Sequence, residues 1–303
     1  MTGLRALGYR LFGRGFDYLL HLRPAEWPIL TMHFLTGTAL SIGVVGLAGT
    51  PHRGAIILGT IAFVIGLNGG TLALNSAFDR DTGDVAYLRR PPPPPPGLAG
   101  FGVALMVAGL LAALVLPRPF LVAYAICFLL SILYSVPPIR LKAVAGFDWA
   151  VNLVGFGFLT PYAGWALTAR ELSLPGGIVL LSFAALFGAL YPLTQLYQLE
   201  EDRRRGDRTL AVSLGITRAL GLALLLAGVA FLGFAAAANG SGWAQGGSRR
   251  AGLAAAALAW GAVLLPWWLG RARLDSAGHQ RRMHWALLAW AVTDLAVLWA
   301  WAR

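Results

Sequence analysis

Runs of about twenty apolar residues recur along almost the whole of this 303-residue chain, and no other feature constrains its fold so tightly. An α-helix rises about 1.5 Å per residue, so each run is long enough to cross a hydrocarbon core of ~30 Å. Nine runs are legible, at about 26–49, 53–78, 98–116, 118–136, 148–168, 176–198, 212–239, 251–270 and 284–302. In hydrocarbon every backbone N–H and C=O needs an internal partner, which restricts such segments to helices. The expected fold class is all-α: a polytopic membrane protein with nine transmembrane helices. Charged residues make up 12% of the chain, about half the share of a soluble domain, which argues against a soluble enzyme.

The basic residues orient the bundle. With the N-terminus in the cytoplasm, eighteen of the 24 Lys and Arg fall on the cytoplasmic side, the bias of a positive-inside topology. The same bias accounts for the formal net charge of +11, so no nucleic-acid partner is expected. The expected location is a cell (inner) membrane, crossed many times, with the N-terminus and the chemistry-bearing loops cytoplasmic. Residues 1–25 interleave Arg5, Arg10, Arg14 and Arg23 with Leu4, Leu7, Tyr9, Leu11, Phe12, Phe16 and Leu19. That pattern predicts a basic amphipathic helix lying against membrane lipid, not a signal-peptide core. The single cysteine, Cys127, can form no internal disulfide. Trp267, Trp268, Trp285 and Trp301 read as an interfacial belt.

Acidic residues cluster at two helix ends on the cytoplasmic side. Asp79, Asp81 and Asp84 follow the second run; Glu200, Glu201, Asp202 and Asp207 follow the sixth. A carboxylate near membrane depth is costly, ~2.5–3.5 kcal/mol at a helix centre, so two clusters at equivalent depth call for a reason. Asn75 and Asp79 are four apart and share a helical face, with Asn68 seven residues before Asn75. Thr194, Gln198 and Asp202 share another face, with Glu201 beside it. Two facing stripes of oxygen donors suit hard cations such as Mg²⁺, and a diphosphate would bridge them. A third motif, Tyr134-Ser135-Val136-Pro137-Pro138-Ile139-Arg140-Leu141-Lys142, ends the fourth run on the same side and brings Arg140 and Lys142 toward the carboxylates.

These three motifs, in this order, resemble the UbiA superfamily of intramembrane prenyltransferases, whose pattern is similar to NxxxDxxxD, YSxPPxRxK and DxxxDxxxGxxTL after the second, fourth and sixth spans. The resemblance covers roughly residues 20–300. It implies a UbiA-like helical bundle that moves a polyprenyl group from its diphosphate to a lipophilic acceptor. Asn75, Asp79 and Asp202 match positions that hold Mg²⁺ and diphosphate. Tyr134, Arg140 and Lys142 match diphosphate contacts, and Arg23-Pro24 and Arg90-Pro91 resemble the family's two Arg-Pro pairs. The chain departs from the pattern twice. Gly83 stands where the second Asp of the first motif belongs, so Asp84 is the expected ligand and Asp81 its alternative. Gln198 replaces the first Asp of the second motif, leaving a neutral oxygen unless Glu201 supplies the charge.

The domain organisation expected is an interfacial segment over 1–25 and a nine-helix transmembrane prenyltransferase domain over 26–303. Glu200 and Asp207 read as solvated loop charges, and Arg203–Arg205 as topogenic. Pro91–Pro96 cannot be helical; as polyproline II it spans about 18 Å, either as a strut over the diphosphate pocket or as a plain linker. Asp294 lies inside the ninth run and reads equally as functional or as paired with a polar neighbour; His33 and Asn152 read as structural or as acceptor-lining. By analogy with the superfamily's commonest class the acceptor is aromatic or quinone-like, the alternative being a non-aromatic lipid. A lipid-phosphate transporter or flippase would use the same cavity without chemistry, but would be expected to carry inverted repeats, and no convincing repeat is seen. An alcohol phosphotransferase would need a compact Asp-Gly…Ala-Arg…Asp-xxx-Asp pattern, which is absent.

Overall fold

The computed structural model describes residues 3–79, 85, 88–241 and 247–301. Among these the regular structure is helical apart from two isolated β-bridges, Val85 with Leu88 and Val144 with Arg208. Six helices are long and apolar enough to cross a membrane: Arg53–Asp79, Arg118–Ser135, Leu174–Gln195, Leu210–Gly240, Gly247–Arg273 and Ser276–Trp301. Leu98–Ala113 is apolar but shorter. Two further apolar runs are interrupted. Trp27–Ile42 ends at Gly43, whose φ of 80° belongs to glycine, and Val44–Gly49 resumes beyond it. Residues 147–166 form a helix with a π-helical middle, Leu153–Leu159. A second π-helical stretch, Ala62–Gly69, lies inside the 53–79 helix. This is an integral membrane protein.

Lipid tails are as apolar as leucine, so burying Leu does not by itself hold such helices together; close backbone approach does. The 27–42 and 160–166 helices show how. A side chain at Gly37 would overlap the carbonyl oxygen of Pro161, and one at Gly164 would overlap that of Phe34. Thr38 Oγ1 donates to the Gly164 carbonyl at 2.9 Å across the same crossing. The largest core cluster joins the helices of the C-terminal half around Phe183, Phe234, Trp260, Trp267 and Trp290. Trp267 and Trp301 are thus core residues, 0% and 4% exposed, and not members of an interfacial belt. Their faces of the helices turn inward, which the all-round apolar sequence does not disclose. Trp285, 57% exposed, does face outward, and Trp268 stacks under the Arg271 guanidinium at 4.7 Å.

The N-terminal segment folds as two short helices, Gly3–Phe12 and Phe16–His21. It holds the proline run at three places. Arg5 donates to the carbonyls of Arg89 and Arg90 at 3.1 Å, a ring nitrogen of His21 meets the Pro92 carbonyl at 3.1 Å, and Tyr18 donates to the Pro96 carbonyl at 2.6 Å. The run is therefore held at Pro92 and Pro96, and the two residues before it at their carbonyls.

Candidate active site

The site begins with three helix ends. The first, the 53–79 helix, is described as far as Asp79, a turn beyond Asn75. The 118–135 helix stops before Val136-Pro137-Pro138, where the missing proline N–H groups cannot continue it. The chain then reverses through Arg140, held at φ 39°, into the short turn Leu141–Ala143. The 174–195 helix gives way to Leu199–Arg205, whose end is closed by Gly206 at φ 76°. Arg208 N–H donates to the Ala143 carbonyl at 3.0 Å and fixes the second and third of these loops side by side.

Asp148 locks the same junction from beneath. Fully buried, it accepts from Gly146 N–H, Leu210 N–H and Gln195 Nε2, each at 2.9 Å. One carboxylate thereby satisfies the starts of two helices, 147–166 and 210–241. Gln195 Nε2 also reaches the Tyr191 hydroxyl at 3.2 Å, and Tyr191 shares a 2.6 Å hydrogen bond with the hydroxyl of Tyr134.

Side chains from all three ends meet in one charged chain. Lys142 Nζ contacts Asp79 and donates to Asn75 Oδ1 at 2.7 Å. Arg140 bridges Asp79, at 3.4 Å, to Asp207, which takes both its terminal nitrogens. Arg205 in turn approaches Asp207 at 3.6 Å, Asp202 at 2.9 Å and Glu201 at 3.8 Å. Asp79 and Asp202, from helices far apart in sequence, therefore sit at the same end of the bundle, linked through two guanidinium groups and Asp207. The side chains of Asp79, Asp202 and Asp207 are 7–8% exposed. Burial pulls the Lys142 ammonium down to about 7, against the pull of Asp207. Burial also raises the Asp202 carboxyl above the usual carboxylate range, opposed by Arg205. Charges of both signs are thus held largely out of water and paired with one another.

Beside this network opens a cavity of about 350 Å³. Its polar lining includes Arg23, Glu26, Asn75, Tyr134, Asn152 and Thr194. Arg23 Nε and Glu26 Oε1 there are buried without a hydrogen-bond partner. Its apolar lining includes Leu30, Phe63, Cys127, Phe156 and Phe187.

Of the residues singled out in the sequence, Asn75, Asp79, Arg140, Lys142 and Asp202 thus stand together, and Tyr134 and Arg23 line the adjoining cavity. Glu201 reaches the group through Arg205. Gln198 is half-buried, and its carbonyl accepts from the Glu201 and Asp202 N–H groups at the start of the short helix. Arg90 is exposed and lies at the end of the proline run, its carbonyl held by Arg5. Asp84, with its alternative Asp81, lies outside the described residues. The expectation that Asp207 is a solvated loop charge is corrected: it is 6% exposed and paired with Arg140 and Arg205. The left-handed turn at Gly206 aims it inward, and a glycine just before an Asp was the available signal. Glu200, 81% exposed, is a loop charge. Asp148, Tyr191 and Gln195 were not anticipated as supports.

The donor set fits Mg²⁺. Asp79, Asp202 and Asp207 offer carboxylate oxygens, and Asn75 and Gln198 amide oxygens. Among the described residues no three His, Cys, Asp or Glu side chains form a ready cage. Mg²⁺ is usually held by one or two carboxylates together with substrate phosphates, not by an all-protein cage.

Three comparisons bear on this arrangement. Residues 35–293 match the model of the UbiA prenyltransferase family. A search of the curated proteins found no match. Among solved structures, a UbiA homologue from Archaeoglobus fulgidus bound to DMAPP and Mg²⁺ is similar, with a TM-score of 0.66, 18% identity, and coverage of 92% of this chain and 99% of that one. An apo UbiA homologue from Aeropyrum pernix K1 gives 0.62 at 19% identity, covering 89% and 96%. A digeranylgeranylglyceryl phosphate synthase gives 0.67 at 15% identity, covering 93% and 96%. At such identities these likenesses speak for the fold alone.

Proposed function

The chain belongs to the UbiA prenyltransferase family, and from that premise we propose that it moves a polyprenyl group from a polyprenyl diphosphate to a lipophilic acceptor, with the reaction seated at the Asp79–Arg140–Asp207 cluster. One observation carries the reading: carboxylates and cations from three separate elements converge, largely buried, beside a mainly apolar cavity that Asn75, bonded to Lys142, also lines. A diphosphate with a long hydrocarbon tail has that same division between head and tail. The orientation that goes with it has nine crossings and the cluster on the cytoplasmic side of the inner membrane. The Lys and Arg distribution supports it.

In this reading Arg140 and Lys142 turn from their carboxylate partners to the diphosphate oxygens, and Arg23 adds a cation at the rim. Asn75, Asp79, Asp202 and Asp207 would hold Mg²⁺, with Gln198 and Glu201 beside them and Asp84 as a further candidate. The metal, when bound, supplies positive charge that favours departure of diphosphate. The allylic C–O bond breaks with its electron pair leaving on diphosphate, the acceptor's nucleophile forms the new bond to carbon, and the acceptor gives up a proton. The protein stabilises the leaving charge and keeps water from the cation. The backbone offers separate support. Among the described residues four non-glycine residues stand at positive φ, and three are Arg23, Arg90 and Arg140; Arg90, exposed beside the proline run, is proposed to join the other two at the diphosphate. Such conformations cost about 1–3 kcal/mol each and gather at functional sites.

The test is to incubate membranes containing the protein with Mg²⁺ and isotope-labelled prenyl diphosphates, then to analyse extracted lipids by mass spectrometry. A labelled prenylated lipid, lost in Asp79→Ala, is the expected result. Undiminished product from a folded Asp79→Ala protein would refute the assignment.

A further inference from the structure

The two N-terminal helices fold back on one another and leave one face of the first uncovered. Inside the hairpin, the Phe16 ring lies where a side chain at Gly8 would stand, and it meets Tyr9 edge-on with centroids 5.2 Å apart. Tyr9 donates to Asp17 at 2.7 Å. The inner face of Gly3–Phe12 is thus taken up by the second helix and, through Arg5, by the carbonyls of Arg89 and Arg90. The outer face is different. Leu7 and Leu11, one turn apart, are 51% and 66% exposed, and Phe12 beside them is 62% exposed. Arg10 and Arg14 are exposed on the same side.

Position and charge say what covers this face. The proline run that the hairpin holds follows the 53–79 helix, so the hairpin stands at the same end of the bundle as Asp79. Its own chain continues directly into Trp27–Ile42, the first helix of the bundle, which tethers it at the membrane surface. Leucine and phenylalanine flanked by arginine on a short helix suit the boundary between headgroups and acyl chains. Residues 3–21 carry Arg5, Arg10 and Arg14 against one acid, Asp17, which Tyr9 engages. With Arg5 turned inward, Arg10 and Arg14 give the outer face a positive charge, which complements an anionic leaflet and not a zwitterionic one.

We propose that Leu7, Leu11 and Phe12, with Arg10 and Arg14, form a docking surface for anionic phospholipid headgroups, and that docking steadies the chain at Arg89 through Arg5. The coupling is direct, because Arg5 belongs to the same helix as the docking face and donates to the Arg89 carbonyl at 3.1 Å. The proposal goes beyond the prenyl-transfer reading and does not depend on it.

The experiment uses the full chain in lipid nanodiscs of phosphatidylcholine, alone or mixed with phosphatidylglycerol. In a Cys127→Ser background, Leu11→Cys carries a polarity-sensitive fluorophore, and Arg204→Cys, on an exposed loop residue, carries the same fluorophore as a control. In the mixed discs the label at residue 11 should shift its emission to the blue and resist quenching by aqueous acrylamide. In phosphatidylcholine alone its docked-to-free ratio should fall by about tenfold or more, the scale of two arginines at an anionic surface. Arg10→Glu with Arg14→Glu, or the two glutamine changes where the glutamates do not fold, should erase the difference, and so should high salt. The label at residue 204 should be quenched alike in both lipids. A nitroxide on Arg89→Cys should be less mobile in the mixed discs. A label at residue 11 that is quenched freely in both lipids overturns the docking surface. Equal protection in both overturns the anionic partner. Equal mobility at residue 89 overturns the coupling.

Discussion

Asp207 shows how much one side chain can organise. It receives Arg140 on one side and Arg205 on the other, and so couples the loop after the 118–135 helix to the acidic helix Leu199–Arg205. Asp207→Asn keeps an acceptor for Arg140 but loses its charge, and is expected to lower turnover about tenfold, the scale of one charge-assisted hydrogen bond. Asp79→Ala and Asp202→Ala remove donors proposed to face the metal and diphosphate, and each should lower turnover by ~10²–10³. Steady-state rates on matched amounts of folded protein check all three. Asp79, Asp202, Arg140 and Lys142 could be singled out in sequence because motif spacing at a helix end survives folding. Asp207 was harder to read, because the one signal was Gly206 before it, whose left-handed turn sets its direction.

At the scale of elements, six of the nine expected runs correspond to helices long and apolar enough to cross a membrane among the described residues, while interruptions within the runs were hidden. Gly43 breaks the first run, and π-helical turns run through Ala62–Gly69 and Leu153–Leu159. Spans that are apolar all round carry no periodicity to show which face is buried or where the winding loosens. Contacts decide that. The crossing of the 27–42 and 160–166 helices leaves no room at Gly37, and Gly37→Ala is expected to cost about 1–3 kcal/mol as overpacking, read as a lower melting temperature of solubilised protein. Asp148→Ala should cost a similar 1–3 kcal/mol, because the N–H groups of Gly146 and Leu210 lose their acceptor. Gly155→Ala, which fills open space, should leave the melting temperature nearly unchanged.

For the whole molecule, the distribution of Lys and Arg yields an orientation that can be checked directly. In a Cys127→Ser background, Arg204→Cys should react with a membrane-impermeant thiol reagent only from the cytoplasmic side, and Leu174→Cys, 78% exposed in the native residue, only from the opposite side. An exchange of the two sides would reverse the topology, and labelling of both from one side would deny the crossing between them. Class, order of helices and the acidic motifs were legible in the sequence because they follow from length and local spacing. The aromatic stack of Phe156, Phe187 and His33, the His33–Asp294 pair and the supports beneath the site were not, since each joins residues that only the packed bundle brings together. The braced proline run carries a last consequence. Its carbonyls rest on Arg5, Tyr18 and His21, so the first two dozen residues serve as an abutment. Trimming the chain to residue 13 to ease its purification would leave Tyr18 and His21 on the run but take away Arg5, and with it the guanidinium that holds the Arg89 and Arg90 carbonyls.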